Sequence, residues 1–275
     1  MGKIIDVSEH QGLIDFTKVK GNVEGVIIRA GYGTNNIDKQ WTRNITECNR
    51  LGIPAGAYWF SYAYNVTTAY NEAKYLLEAV SPYKLELPLA FDYEYDSVTY
   101  GQNKGVSVTS ALVKSMANAF CQKIKQEKYY CLLYANPDFI NRYFGDLYEL
   151  YDLWLAQWPN TVDVTKPPRA CGIWQWGVSK VPGISSNVDS NESYKDYVSI
   201  IKKDKLNHLT TTTSSSTTSN TSTQSSATVS SSQWYSECMN WARKYRINDG
   251  TRPTSAATRA EVSQMIYNYY KQFRR

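Results

Sequence analysis

The chain has 275 residues, room for one large domain and a small one. Its 30 Lys and Arg against 25 Asp and Glu leave a net +5, and the whole excess lies after Leu209, since the residues before it balance. There is no long basic run, no stretch near the roughly 20 apolar residues of a bilayer span, and only 2 His, which argues against nucleic-acid binding, membrane insertion, a zinc site and a Ser-His-Asp triad.

The chain opens with Met1-Gly2-Lys3-Ile4-Ile5-Asp6, directly into a strand and without the features of a secretory leader. The expectation is a protein made in the cytoplasm without a signal peptide. Residues 25–31 read as a second buried strand, with Gly31-Tyr32-Gly33 as its turn. Trp41, Ile45, Cys48 and Leu51 then fall at helical spacing, stopped by Gly52 and Pro54. A strand over 53–61 precedes a helix over 66–80, and another strand ends in Asp92-Tyr93-Glu94. A long helix is expected over 107–127 and a strand over 129–136, with a helix opening near Pro137. This alternation points to α/β units around a parallel sheet, whose usual closed form is a barrel. The rhythm then breaks. Strand-like stretches at 152–158 and 172–177 flank Pro159, Pro167 and Pro168, which leave no room for a crossover helix. An irregular TIM-like barrel follows, with about five βα units and then strands joined by loops. Cys48, Cys121, Cys131, Cys171 and Cys238 form no C-x-x-C pair, and buried free thiols are expected at Cys121 and Cys131.

The stretch Leu89-Ala90-Phe91-Asp92-Tyr93-Glu94 carries the chemistry. In an extended chain side chains alternate, so Asp92 and Glu94 share a face, with α-carbons roughly 6.5–7 Å apart. Two carboxylates that close repel, so one holds its proton more tightly. A protonated acid beside an ionised one is the equipment for glycosidic bond cleavage. An acidic strand end facing water is the plainer alternative. In a parallel barrel the reactive groups gather at the C-terminal strand ends. There the sequence offers Asp6, Tyr58, Asp92, Glu94, Tyr134, Asn136, Gln157 and Gln175, with Asp189 after the last strand. No metal-ligand set is present, so neither metal nor cofactor is expected.

Ile5-Asp6-Val7-Ser8 with His10-Gln11-Gly12, then Gly56-Ala57-Tyr58-Trp59-Phe60-Ser61, Asp92-Tyr93-Glu94 and Trp154-Leu155-Ala156-Gln157-Trp158 resemble glycoside hydrolase family 25. These are lysozyme-type muramidases, common among phage endolysins. The resemblance spans roughly residues 3–200. It implies a (β/α)5β3 barrel and hydrolysis of the β-1,4 bond between N-acetylmuramic acid and N-acetylglucosamine in peptidoglycan. It implies Glu94 as the acid/base and Asp92 as its companion carboxylate. Asp92 has two roles open: direct attack on the anomeric carbon, or orientation of the substrate's own N-acetyl group, which the resemblance favours, with net retention. Asp6, Asp189, Tyr58, Tyr134 and Gln157 are implied as substrate-binding residues. By residue type alone, Asp6 and Asp189 also fit N-caps or turns.

Residues 208–232 are almost wholly Ser and Thr and read as a flexible tether. The barrel is therefore expected over 1–207 and a small helical module over 233–275. In the latter, Thr258-Arg259-Ala260-Glu261 is a capping box, and Val262, Met265, Ile266, Tyr269 and Phe273 share one helical face. Asn248-Asp249-Gly250-Thr251-Arg252-Pro253 followed by that box resembles a single S-layer homology-type repeat. Such modules bind secondary wall polymers, and the basic excess suits an anionic one. Homo-oligomerisation through this module is the competing role. For the whole chain, the competing class is a non-catalytic wall-binding protein on a barrel scaffold.

Overall fold

The computed structural model describes residues 2–209. The chain divides into two units, residues 1–213 and 214–275, and the described residues belong to the first. The tether from residue 210 on and the expected module over 233–275 lie outside the described residues.

Five strand–helix units come first. They are β1 (Gly2–Val7) with α1 (Phe16–Val19), β2 (Gly25–Tyr32) with α2 (Trp41–Leu51), and β4 (Ala55–Phe60) with α3 (Val66–Val80). β5 (Leu89–Asp92) is followed by α4 (Tyr95–Asn103) and α5 (Ser110–Gln126), and β6 (Cys131–Ala135) by α6 (Pro137–Phe139), a π-turn and α7 (Tyr148–Tyr151). Three strands complete the set: β7 (Leu153–Ala156), β8 (Ile173–Ser179) and β9 (Val188–Ser193), followed by α8 (Tyr197–Lys203). The sheet order is β1-β9-β8-β7-β6-β5-β4-β2, and β1 pairs with β2 to close it into an eight-stranded barrel. A two-residue strand, β3 (Asn36–Ile37), hangs from β2. All barrel pairings are parallel except those of β9, which is antiparallel to both β8 and β1. This is the irregular (β/α)5β3 barrel.

Strand alternation sorts the core into two layers. Val26, Ile28, Ala57, Trp59, Leu89, Phe91, Leu133, Leu153 and Leu155 face the helices. Ile4, Ile27, Ala90, Leu132, Trp154 and Ile173 fill the barrel interior, which Tyr197 and Ile201 of α8 plug from the N-terminal end. Helix caps follow local chemistry. Asn65 accepts from Thr68 N–H at 2.8 Å to start α3, and Gly52 ends α2 in the left-handed conformation.

Three expectations need correction. Gly31 is not in a turn: β2 runs to Tyr32, with a bulge between Arg29 and Gly31. A Cβ at Gly31 would lie 2.3 Å from the Asn36 carbonyl oxygen and 2.6 Å from the Trp59 ring, so glycine serves close approach there. The expected 107–127 helix is α5 alone, and α4 precedes it where no helix was foreseen. Asp189 does not follow the last strand but sits inside it, on β9. The expectation for the thiols holds, with Cys121 and Cys131 both buried and free.

Candidate active site

Above the apolar plug, the next inward layer turns polar. Asp6 lies on β1, Arg29 on β2, Tyr58 on β4, Asp92 on β5, Tyr134 on β6 and Gln175 on β8. Register aligns them: Asp6 pairs with Asp189, Asp92 with Tyr134, and Gln175 with Asn191. Together with Glu94, Asp189, Trp154, Trp158, Phe60 and His10 they line a cavity of about 380 Å³ at the C-terminal mouth.

The alternation that ends β5 continues one step beyond it. Tyr93 is fully buried among the outer-layer aromatics, stacked on Phe91 with ring centroids 5.8 Å apart. Asp92 and Glu94 therefore turn together into the cavity. Glu94 has extended backbone and its N–H donates to Ser97 Oγ at 3.1 Å, starting α4.

The electrostatics are those of a crowded acid cluster. Burial is the largest cause pushing every one of the four carboxyls upward. Asp6 is pushed up to about 7, by burial and then by Asp189, against hydrogen bonds from Asn191 and Gln175 that favour its anion. Asp92 is raised well above the usual range by burial, by the charge of Glu94 and by a hydrogen bond with Glu94. Burial raises Glu94 as well, but the same bond to Asp92 lowers it. Both carboxyls therefore hold a proton more tightly than free ones do. Asp92 is the more deeply buried of the two. The buried Oδ1 of Asp92 has no hydrogen-bond partner.

Arg29 is the one arginine on the cavity wall, and it is already engaged. Its Nε donates to Asp38 at 2.8 Å and an Nη to Glu9 at 3.1 Å. Burial and the nearby Asp6 and Asp92 hold the Tyr58 phenol protonated, and its ring meets Trp154 edge-on at 6.0 Å. Among the described residues no three ligating side chains are grouped to hold a metal ion.

Of the residues expected from the sequence, Glu94, Asp92, Asp6, Asp189, Tyr58 and Tyr134 come together on this wall, and Gln157 does not. Gln157 shares the parity of Leu153 and Leu155, which face the helices, so the strand turns it away from the mouth. Its N–H donates to Gln175 O at 3.1 Å and its carbonyl accepts from Trp174 Nε1 at 2.7 Å. The opposite parity, that of Trp154, puts Trp158 on the wall, and counting alternate positions from Trp154 would have found it. Arg29 had a signal too, as the one charge in the apolar run Val26-Ile27-Ile28-Arg29-Ala30.

The family described as glycosyl hydrolases family 25 matches residues 5–184, which covers every one of these wall residues except Asp189. The chain belongs to glycosyl hydrolase family 25. This family 25 chain is 25% identical over 205 residues to lysozyme M1 of Streptomyces globisporus, covering 68% of this chain and 66% of that protein. It is also similar to the modular autolysin LytC of Streptococcus pneumoniae, solved with a synthetic peptidoglycan ligand. That likeness has 32% identity and a TM-score of 0.58, over 69% of this chain and 46% of LytC. The catalytic domain of endolysin ply40, from bacteriophage P40 of Listeria monocytogenes, shares the fold. It has a TM-score of 0.62 at 24% identity, over 73% of this chain and 97% of that domain. The chain thus spans just under two thirds of the curated lysozyme and less than half of the autolysin.

Proposed function

We propose that this chain is a peptidoglycan hydrolase of the lysozyme type, cleaving the β-1,4 bond between N-acetylmuramic acid and N-acetylglucosamine in Gram-positive walls. The observation that carries the reading is the convergence of Asp92 and Glu94, with Asp6 and Asp189, on one sugar-sized cavity at the barrel mouth. Family membership and the similarity to a lysozyme and to a peptidoglycan-binding autolysin support it. An acetamido N–H donated to the unpartnered Asp92 Oδ1 stabilises the Asp92 anion. Glu94, whose burial favours the protonated form, delivers its proton to the leaving glycosidic oxygen. Asp92, now charged, holds the N-acetyl group so that its carbonyl oxygen attacks the anomeric carbon. Water opens that intermediate with net retention. Asp6 and Asp189 stabilise the positive charge that develops on the ring. The wider reading is a phage-type endolysin, made in the host cytoplasm and acting on the wall after release. Residues 233–275 serve as its anchor to an anionic wall polymer.

Mass spectrometry of muropeptides released from purified Gram-positive walls tests this. The wild-type protein should leave N-acetylmuramic acid at the new reducing ends, and Glu94→Gln should release at least about a hundredfold less. Undiminished release by Glu94→Gln, or N-acetylglucosamine at the new ends, would sink the reading. The competing wall-binding class predicts no release by either protein.

A further inference from the structure

Three parts of the cavity meet at one amide. Gln175 is 5% exposed and sits on β8 beside a bulge that falls between it and Gly177. Its Oε1 accepts from Tyr134 Oη at 3.0 Å and from Trp158 Nε1 at 3.1 Å, while its Nε2 donates to Asp6 Oδ2 at 3.0 Å. An indole N–H can only donate, so the amide oxygen must face Trp158 and the amide nitrogen must face the carboxylate. Asn191 donates to the same Asp6 oxygen at 2.9 Å and is itself oriented by Trp154 Nε1 at 2.7 Å. Trp158, by contrast, is 54% exposed on the rim.

We propose that Gln175 is a positioning residue that holds the buried Asp6 as an oriented anion and seats the rim indole of Trp158 as a platform for a sugar ring. The inference rests on the hydrolase reading above. Two N–H donors converge on one Asp6 oxygen, and both favour the charged form. They act against Asp189 on β9, Asp92 and Glu94 at the end of β5, and the phenols of Tyr58 on β4 and Tyr134 on β6, with Arg29 on β2 and His10 after β1 completing the wall. At the other end of the amide, the indole's single donor is tied down. Its flat apolar face is thereby kept over the cavity, where a pyranose can lie against it. Recognition at the rim and charge at the floor pass through one side chain.

The test uses the full-length protein and soluble peptidoglycan oligosaccharides. In Gln175→Glu, the new carboxylate still accepts from Tyr134 and Trp158 but no longer donates to Asp6. The rise of kcat/KM with pH that follows Asp6 ionisation should move upward by about one pH unit or more, with KM within about twofold of wild type. Trp158→Phe should do the reverse, raising KM by about tenfold with the pH limb unmoved. Gln175→Met should show both changes. Carbon-13 NMR titration of the Asp6 carboxyl should report the same upward shift in both Gln175 variants with no substrate present. A Gln175→Glu protein whose Asp6 titration and pH limb match wild type would overturn the proposal. So would Gln175 variants that change only the melting temperature. A wild-type protein that cleaves no glycan would instead overturn the hydrolase reading. The NMR arm, which needs no substrate, would still decide whether Gln175 sets Asp6.

Discussion

Away from the cavity, the buried carboxyl of Glu72 on α3 accepts from the Ser61 hydroxyl and from the Tyr62 N–H at 3.0 Å, fixing the chain as it leaves β4. Burial is the main cause that pushes Glu72 up to about 7 from an ordinary 4.5, against those two bonds. The folded state therefore holds this proton more tightly than the unfolded chain does. The corresponding stability is fully present below pH 4.5 and is lost as pH rises through about 7. The loss is about 3 kcal/mol. Glu72→Gln cannot ionise, so thermal melts at pH 4.5 and pH 7 should show a smaller fall than in wild type. Equal falls in the two proteins would contradict the assignment. Glu72 was not legible as a special residue, because Glu in an amphipathic helix reads as solvent-facing. Asp92 and Glu94 were legible because their pairing follows from strand parity alone. The lift that Asp189 gives Glu94 was not, since it depends on where β9 closes the barrel.

Elements show the same division. Helices α2, α3 and α5 were readable from apolar spacing and their stop signals, and β5 and β6 from apolar runs. Strand β9 was not, because its inward residues Asp189 and Asn191 belong to the site layer, so no apolar alternation marks it. Asp152-Leu153-Trp154-Leu155 and Gly172-Ile173-Trp174 kept their apolar residues and were found. The segment after α8 carries a latch with no sequence signature. Asn207, in the left-handed conformation, donates to Leu85 O at 3.1 Å and to Leu87 O at 2.9 Å, and accepts from Tyr130 N–H at 2.9 Å. One buried amide thus ties the segment after α8 to the entries of β5 and β6. Asn207→Ala leaves three backbone groups without that partner and should cost about 2–4 kcal/mol. Urea denaturation should show a lower midpoint with an unchanged slope. A midpoint equal to wild type would mean that water replaces the amide at no cost.

For the whole molecule, the charge is split, with a neutral first part and a basic stretch after Leu209. If the latter anchors the enzyme to an anionic polymer, deleting residues 210–275 should reduce co-sedimentation with walls by about tenfold or more at low salt. Turnover of small soluble fragments should be left intact. Equal sedimentation of the truncated protein would count against an anchor. The barrel itself has one further consequence. Its first and last strands are neighbours, and Asp6 takes hydrogen bonds from residues 169 and 185 positions away. The quartet of carboxyls is consequently a product of the final closure. A nascent chain still waiting for β9 to leave the ribosome has Asp92 and Glu94 in hand but lacks the Asp189 charge that raises Glu94. Synthesis and chemical competence are separated in time by the seam of the barrel.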